Sequence, residues 1–402
     1  MKKGNVLYGQ SGGPTTVINS SALGVILESK RHSDKIEKVF IMKNGILGAI
    51  DDSLIEVDNT DELKLERLKH TSGAFFGSVR YKLKNSTESE IDYLAILKTL
   101  KKHNIKYFFL NGGNDSMDTC NKISQYLESV HYQCAVIGIP KTIDNDLVGI
   151  DHCPGYGSSA KFIANLMIEL DLDNSSYPNG KVFIVEIMGR NTGWLTAASK
   201  LASVVDHGPD LIYVPEVKFS EKKFLKAVSE IYTKQRKVLI AVSEGIDYSS
   251  SCQTNSAVKD PFGHRALGGV GHSLASIVSS ELNLETKVIQ LGSAQRSVAR
   301  ISSRIDTKEA ELLGNEAVRQ AIKGTTDKMV TIVRTSNIPY SVKLGLENLS
   351  EVANKEKKLP REMISKQGND ITPAFITYAM PLIQGECQNI YKNGLLNIYS
   401  KK

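Results

Sequence analysis

The chain has 402 residues, 41% of them hydrophobic and 23% charged, which fits a soluble globular protein of two or three domains. Fifty Lys and Arg against 44 Asp and Glu leave +6, scattered without a long basic stripe, so a nucleic-acid surface is unsupported and a small anionic substrate would suit. No apolar run approaches membrane-spanning length, and no signal-peptide core precedes the first glycines. The five cysteines (Cys120, Cys134, Cys153, Cys252, Cys387) contain no CxxC pair, so a reduced, cytoplasmic protein is expected, without membrane or nucleic-acid partner.

Short β-branched or aromatic runs alternate with amphipathic stretches. The strand NVLYG (5–9) precedes a helix expected from Pro14 to about Lys30, and KVFIM (38–42) follows. A helix over Glu88–His103 leads to KYFFL (106–110), a helix after Asp115, and the strand CAVIGI (134–139). A helix near Ser158–Leu170 comes next, then KVFIVEI (181–187), LIYV (211–214), KVLIAV (237–242), KVIQL (287–291) and KMVTIV (328–333). Helical patterns near 221–235, 268–282 and 307–322 separate these later strands, and the chain from about Val342 reads as helix-rich and charged. Within it, KEKKLPREMISKQGND reads as an exposed connection. The rhythm predicts α/β architecture with mostly parallel sheets.

Glycines cluster at the carboxyl ends of several of these strands, where ligands collect in doubly wound sheets. GQSGGPT (9–15) can hold phosphate oxygens on its backbone N–H groups, and is equally a tight βα turn with Pro14 opening a helix. NGGNDS (111–116) is a second such turn, in which Asn114 or Asp115 can also cap the following helix. In PKTIDND (140–146), Asp144 and Asp146 stand two apart, and an extended segment would turn both carboxylates to one side. Such a pair suits a base with a supporting acid, while a lone IDND is more often a polar turn. Arg190 in MGRNTG can clamp a phosphoryl group with its planar fork, and is as readily a surface arginine. Glu244 in SEGID and Arg296 in GSAQR sit at two further strand ends. Singly each motif is weak, but together at strand ends they favour a phosphate-handling cleft.

GQSGGPT, GSVR (77–80), GGNDS, PKTIDND, PGYGSSAK (154–161), MGR, SEG and QR occur in the order and approximate spacing of the phosphofructokinases. The resemblance runs from about residue 5 to the C-terminus, and within the family it is to the pyrophosphate-dependent branch. It implies a phosphofructokinase-like fold of two doubly wound α/β domains with the active site in the cleft between them. Residues 1–153 with about 294–340 would bind the donor, and 154–293 with about 341–402 the fructose 6-phosphate. The implied activity is reversible, Mg²⁺-dependent transfer of phosphate from pyrophosphate to the C1 hydroxyl of fructose 6-phosphate, in a homodimer or homotetramer. An ATP-dependent enzyme and a non-catalytic regulatory subunit of the same fold are the alternatives.

Roles carried over from the family make Asp144 the base, with Asp146 beside it, worth about 10²–10⁴-fold in rate. Arg190, Thr142 and the backbone of Gly12 would stabilise the transferred phosphoryl group, with Gly13, Gly113, Asp115 and Lys141 also on the donor. Met188, Gly189, Glu244 and Arg296 would hold the sugar phosphate. ATP-using relatives have glycine at position 115 and commonly at 141. Here Asp115 would repel an inner nucleotide phosphate at a cost on the order of several kcal/mol, and Lys141 would fill the vacated space. Asn114 stands where the family usually has an aspartate for Mg²⁺, leaving the metal to Asp115, the Asn114 amide oxygen and pyrophosphate. Two arginines that in many relatives reach the sugar phosphate of a neighbouring subunit fall at Lys181 and Lys287, which lack the bidentate fork. The histidine common before QR in the family is Ser293.

Overall fold

The computed structural model describes residues 3–57, 62–248, 269–388 and 391–400. Its strands are β1 (Gly4–Gln10), β2 (Ile36–Met42), β3 (Leu54–Glu56), β4 (Ile105–Gly112), β5 (Ala135–Pro140), β6 (Val182–Ile187), β7 (Leu211–Tyr213), β8 (Val238–Ser243), β9 (Thr286–Gln290), β10 (Lys328–Asn337) and β11 (Tyr340–Asn348). A two-residue ribbon near the C-terminus pairs Tyr391–Lys392 with Leu395–Leu396. The larger sheet runs β11-β10-β5-β4-β1-β2-β3 and the smaller β7-β8-β6-β9. Pairing is parallel throughout the small sheet and across β2-β1-β4-β5-β10. Within the large sheet the edge strands β3 and β11 are antiparallel to their neighbours.

Helices cover both faces of each sheet, which is why the central strands read as unbroken apolar runs. Along β6 the period of two divides the side chains between two cores. Val182 and Ile184 join one with Val238, Ile240 and Val242 of β8, and Phe183, Val185 and Ile187 join the other with Leu239 and Ala241. The helices Ile18–Arg31 and Arg304–Ile322 pack together on the large sheet through glycines. A Cβ on Gly24 would lie 2.2 Å from the Glu311 carbonyl oxygen, and one on Gly314 2.2 Å from that of Ser21.

The nine expected strands are all present. Three expectations change. The helix predicted from Pro14 begins at Ile18, so residues 14–17 remain part of the loop after β1. The stretch from Val342, read as helix-rich, starts as β11, paired from Lys328↔Asn348 to Asn337↔Tyr340. Its alternation of Val342, Leu344 and Leu346 with Lys343 and Glu347 is that of an edge strand with one face on a core. Third, the proposed division near residue 340 moves. β11 belongs to the large sheet, and Leu349 and Val352 join its core, whereas Leu359, Ile364, Phe375 and Leu382 join a core of the small sheet. The chain therefore crosses between the units near residues 353–358, through the segment expected to be an exposed connection.

Each sheet has one place where the chain reverses its direction of strand addition. In the large sheet the crossovers leave β1 toward β2 and later return to add β4 on its other side. In the small sheet β6 is flanked by β8 and β9. Loops after the carboxyl ends of strands at such switch points diverge and leave a crevice. The two crevices face each other. Cys120, Cys134, Cys153 and Cys387 are free thiols, and Cys252 lies outside the described residues.

Candidate active site

Between the two crevices lies a cleft of about 620 Å³. The loop after β1 lines it with Gly12, Gly13 and Thr15, the loop after β4 with Gly113, Asn114 and Asp115, and the loop after β5 with Lys141, Thr142, Asp144 and Asp146. From the small sheet come Met188, Arg190 and Thr192 after β6, Glu244 after β8 and Arg296 after β9. Gly189, next to Met188, donates its N–H to Glu244 Oε1 at 3.5 Å.

The loop after β1 depends on glycine at one position in particular. Gly12 has φ +74°, a conformation that costs other residues strain. Its N–H donates to Val79 O at 3.2 Å and its carbonyl accepts from Ser78 Oγ at 2.7 Å, so the 71–80 loop is stitched to it. Asn19 anchors the same loop from behind, donating Nδ2 to Thr71 O (2.7 Å) and Gly73 O (2.8 Å). This brings Arg80 and Lys82 into the cleft wall. GSVR marked that loop in the sequence without giving Arg80 a role.

Lys141 is 3% exposed, and its ammonium donates to Ser11 O at 2.9 Å and Gly13 O at 2.7 Å. It therefore props the β1 loop as well as filling space beside it. Burial pulls its pKa down to about 8, against the opposing pull of Asp144, while Arg296 and Arg80 push the same way as burial. Arg296, expected on the sugar phosphate, reaches across the cleft to the loop after β1, where a Cβ on Gly13 would lie 2.9 Å from its Nη1. Burial and then the nearby Arg80 depress its pKa. Three cations thus converge around the backbone of Gly12 and Gly13, an arrangement for a polyanion.

Opposite them stand the two acids. The 144–146 segment is not extended as expected, because Asn145 adopts φ +55°, yet both carboxylates still line the cleft. Thr142 Oγ1 accepts from Asp144 N at 3.1 Å, and Thr192 Oγ1 donates to Asp144 O at 3.3 Å. Burial raises the Asp144 pKa, opposed by Lys141, Arg190, Arg296 and Arg80. Burial first and the Asp144 charge second push Asp146 up to about 7. Glu244 is likewise raised by burial. Like-charged carboxylates held together and half withdrawn from water are the environment of an acid–base pair.

Asn114 does not cap its helix: Asn114–Ser129 starts from Gly113 with no side-chain cap. Instead Asn114 Nδ2 donates to Asp146 Oδ2 at 3.1 Å, and its Oδ1 is buried with no hydrogen-bond partner among the described residues. An unpartnered amide oxygen beside Asp115 and Asp146 fits a hard cation that takes its other ligands from phosphate and water. Among the described residues no three His, Cys, Asp or Glu side chains group to hold a metal by themselves. A Mg²⁺ carried in with substrate phosphate agrees with both observations.

Lys181 and Lys287 are not in this cleft. Lys181 immediately precedes β6, about 20 Å from that strand's carboxyl end at the rise of a parallel strand, and Lys287 lies near the start of the shorter β9, about 10 Å from its carboxyl end. There Lys181 pairs with Glu285 at 2.9 Å, and Lys287 pairs with Asp173 at 3.8 Å and lies over Phe183. Missing from the sequence reading were Arg80, Lys82, Asn354 and Glu356. The last two belong to the crossing segment, where Asn354 Nδ2 donates to Asp118 Oδ1 (3.1 Å) and Glu356 Oε1 accepts from Asn191 Nδ2 (2.7 Å). Nothing in a run of alternating charges marks them.

Residues 5–321 match the family model described as Phosphofructokinase. A pyrophosphate–fructose 6-phosphate 1-phosphotransferase of Halomonas elongata is 40% identical over 399 residues, covering 98% of this chain and 95% of the relative. A crystal structure of a pyrophosphate-dependent phosphofructokinase from Marinobacter aquaeolei superposes with a TM-score of 0.88 at 38% identity, over 100% of this chain and 96% of that one. The corresponding protein of Nitrosospira multiformis gives 0.89 at 38% identity, over 98% and 95%. The chain belongs to the phosphofructokinase family.

Proposed function

We propose that this chain transfers a phosphoryl group reversibly from pyrophosphate to the C1 hydroxyl of fructose 6-phosphate. The observation that carries the reading is the paired acids Asp144 and Asp146 facing the cations Lys141, Arg80 and Arg296 across one cleft. Relatives of that printed activity, at 40% identity over nearly the whole chain, support the choice of donor and acceptor.

Asp144 takes the proton of the C1 hydroxyl as that oxygen bonds to phosphorus, and the bridging P–O bond of pyrophosphate breaks to release phosphate. The Gly12 N–H is engaged by Val79 O, so the backbone N–H of Gly13, with Arg190 and Thr142, would hold the equatorial oxygens of the moving group. Phosphoryl transfer is mostly positioning and electrostatics, so these donors rank with the base in importance. Arg80 and Arg296, gathered in the same cleft near Gly13, can neutralise the charge of the group. Met188, Gly189 and Glu244 shape the sugar end. Asp115, in the first turn of its helix, puts a carboxylate where a longer donor would place another phosphate, and Lys141 fills the adjoining space. Asn114 and Asp115 would hold Mg²⁺ together with pyrophosphate, and the ion supplies charge neutralisation on the phosphate oxygens.

Lys181 and Lys287, remote from the cleft of their own chain, would serve the sugar phosphate of a neighbouring copy in a homodimer or homotetramer. Among the described residues no helix is long and apolar enough to cross a membrane.

The test compares pyrophosphate with ATP as donor to fructose 6-phosphate, with Mg²⁺, on the purified protein. Turnover with pyrophosphate and not ATP is the expected result. Turnover with ATP would overturn the roles given to Asp115 and Lys141, and a folded protein that binds the sugar phosphate but turns over neither donor would be a regulatory subunit.

A further inference from the structure

We propose that Tyr378 is a positioning residue for the acid pair and acts through Asn145. The inference rests on the proposed role of Asp144 as base.

Asn145 lies between the two acids in left-handed backbone, a conformation asparagine tolerates better than most residues. Its side chain is fully buried and uses both ends. Oδ1 accepts from Cys153 N at 2.9 Å, and Nδ2 donates to Tyr378 Oη, also at 2.9 Å. The same hydroxyl donates onward to Asp151 O at 2.9 Å, so it accepts one hydrogen bond and donates one, within the capacity of a phenol. Burial holds the phenol pKa well above its ordinary value, which keeps that proton in place.

The ring has little freedom. Trp194 packs at 5.2 Å with a 44° tilt, the Arg334 guanidinium lies 4.7 Å from the ring centroid, and Arg334 Nη1 donates to Tyr378 O at 2.8 Å. Arg334 is itself fixed by Asp151 Oδ1 through Nε (3.0 Å) and Nη2 (2.8 Å).

The two residues come from different units. Tyr378 stands on the helix Pro373–Ala379, whose Phe375 and Ala379 belong to a core of the small sheet, whereas Asn145 follows β5 of the large sheet. Together with Thr192 Oγ1 on Asp144 O, this hydroxyl registers the turn carrying the acids against the unit that supplies Arg190 and Glu244. A phenylalanine would pack the same ring. The hydroxyl is what addresses the amide between the acids, and a displacement of about 1 Å at a reacting group can slow a reaction about hundredfold.

The experiment measures pyrophosphate-dependent phosphorylation of fructose 6-phosphate by wild type, Tyr378→Phe, Asn145→Gly and the double variant. Glycine at 145 keeps the left-handed backbone accessible while deleting the amide. Each single variant is expected to lose about tenfold to hundredfold in kcat with both KM values within about twofold of wild type. Both changes cut the Asn145–Tyr378 bond, Asn145→Gly losing the Cys153 N contact and Tyr378→Phe the Asp151 O contact besides. If the shared bond carries the effect, the double variant should be no more than about threefold slower than the slower single variant. A Tyr378→Phe kcat within twofold of wild type overturns the proposal. So does a rise in KM at unchanged kcat, or losses that multiply in the double variant. If Tyr378→Phe does not fold, Asn145→Gly decides alone, and an unchanged kcat there overturns the proposal. Wild type inactive with pyrophosphate would overturn the underlying function instead, so the two failures are distinguishable.

Discussion

Replacing Asp144 by asparagine should abolish turnover and, at neutral pH, stabilise the fold. Burial first and the Asp144 charge second raise Asp146 from 3.8 to about 7. An acid with a raised folded pKa binds more protons folded than unfolded. Its contribution is therefore most favourable below the unfolded value and is lost as pH rises through the folded one. Roughly three units at about 1.36 kcal/mol each make about 4 kcal/mol of destabilisation above pH 7. The burial share survives the substitution and the Asp144 share does not. Asp144 is the second contributor. A share of about 1–2 kcal/mol, over an unfolding entropy of about 2.1 cal/mol/K per residue in 402 residues, corresponds to a gain of about 1–2 °C in Tm. The assay is thermal unfolding of wild type and Asp144→Asn at pH 8 and pH 5, with turnover measured beside it. At pH 5 Asp146 is mostly protonated, so the gain should shrink to under about a third of its pH 8 value. An Asp144→Asn protein no more stable than wild type at pH 8, or equally stabilised at both pH values, would refute the electrostatic reasoning.

Gly245→Ala would place a Cβ 1.9 Å from Arg190 O and 2.6 Å from Gly189 O, both backbone atoms, so the turn after β6 must move. We expect kcat to fall about hundredfold with a stability loss of about 1–3 kcal/mol, checked by steady-state kinetics and denaturant unfolding; an unchanged kcat would show that the position of Arg190 is unimportant. Gly314→Ala meets Ser21 O at 2.2 Å where two helices cross, away from the cleft. It should lower stability by about 1–3 kcal/mol while kcat per folded molecule stays at the wild-type value, so full stability in urea would mean that the crossing can widen freely.

Most of the site was legible because parallel sheets put their loops where sequence patterns change. A strand buried on both faces must be apolar throughout, and its exit turn must supply glycine or a small polar residue. Thus Gly12, Gly113, Asp144, Arg190, Glu244 and Arg296 all stand at strand ends and all reach the cleft or its wall. Lys181 and Lys287 stand toward the opposite ends of two of the same strands, away from this chain's own cleft. The alternation of β11 is visible in the sequence, yet charged residues on the open face of an edge strand resemble a solvated helix.

The sequence by itself determined the order of elements, the glycine-bearing turns at the strand ends and the positions of the acids, since these follow from local sterics and from periodicities of two and 3.6 residues. Tertiary structure alone decided which of them meet. Asn145 finds Tyr378 across 233 residues of chain, Arg296 comes to rest on Gly13, and Arg80 enters on a loop tied down by Asn19. Contacts of that range leave no periodic trace, because they depend on how two sheets face one another and not on any neighbour in the chain. The same holds for the Asp146 carboxyl, whose raised pKa comes from burial and from a second charge that only the folded turn brings beside it.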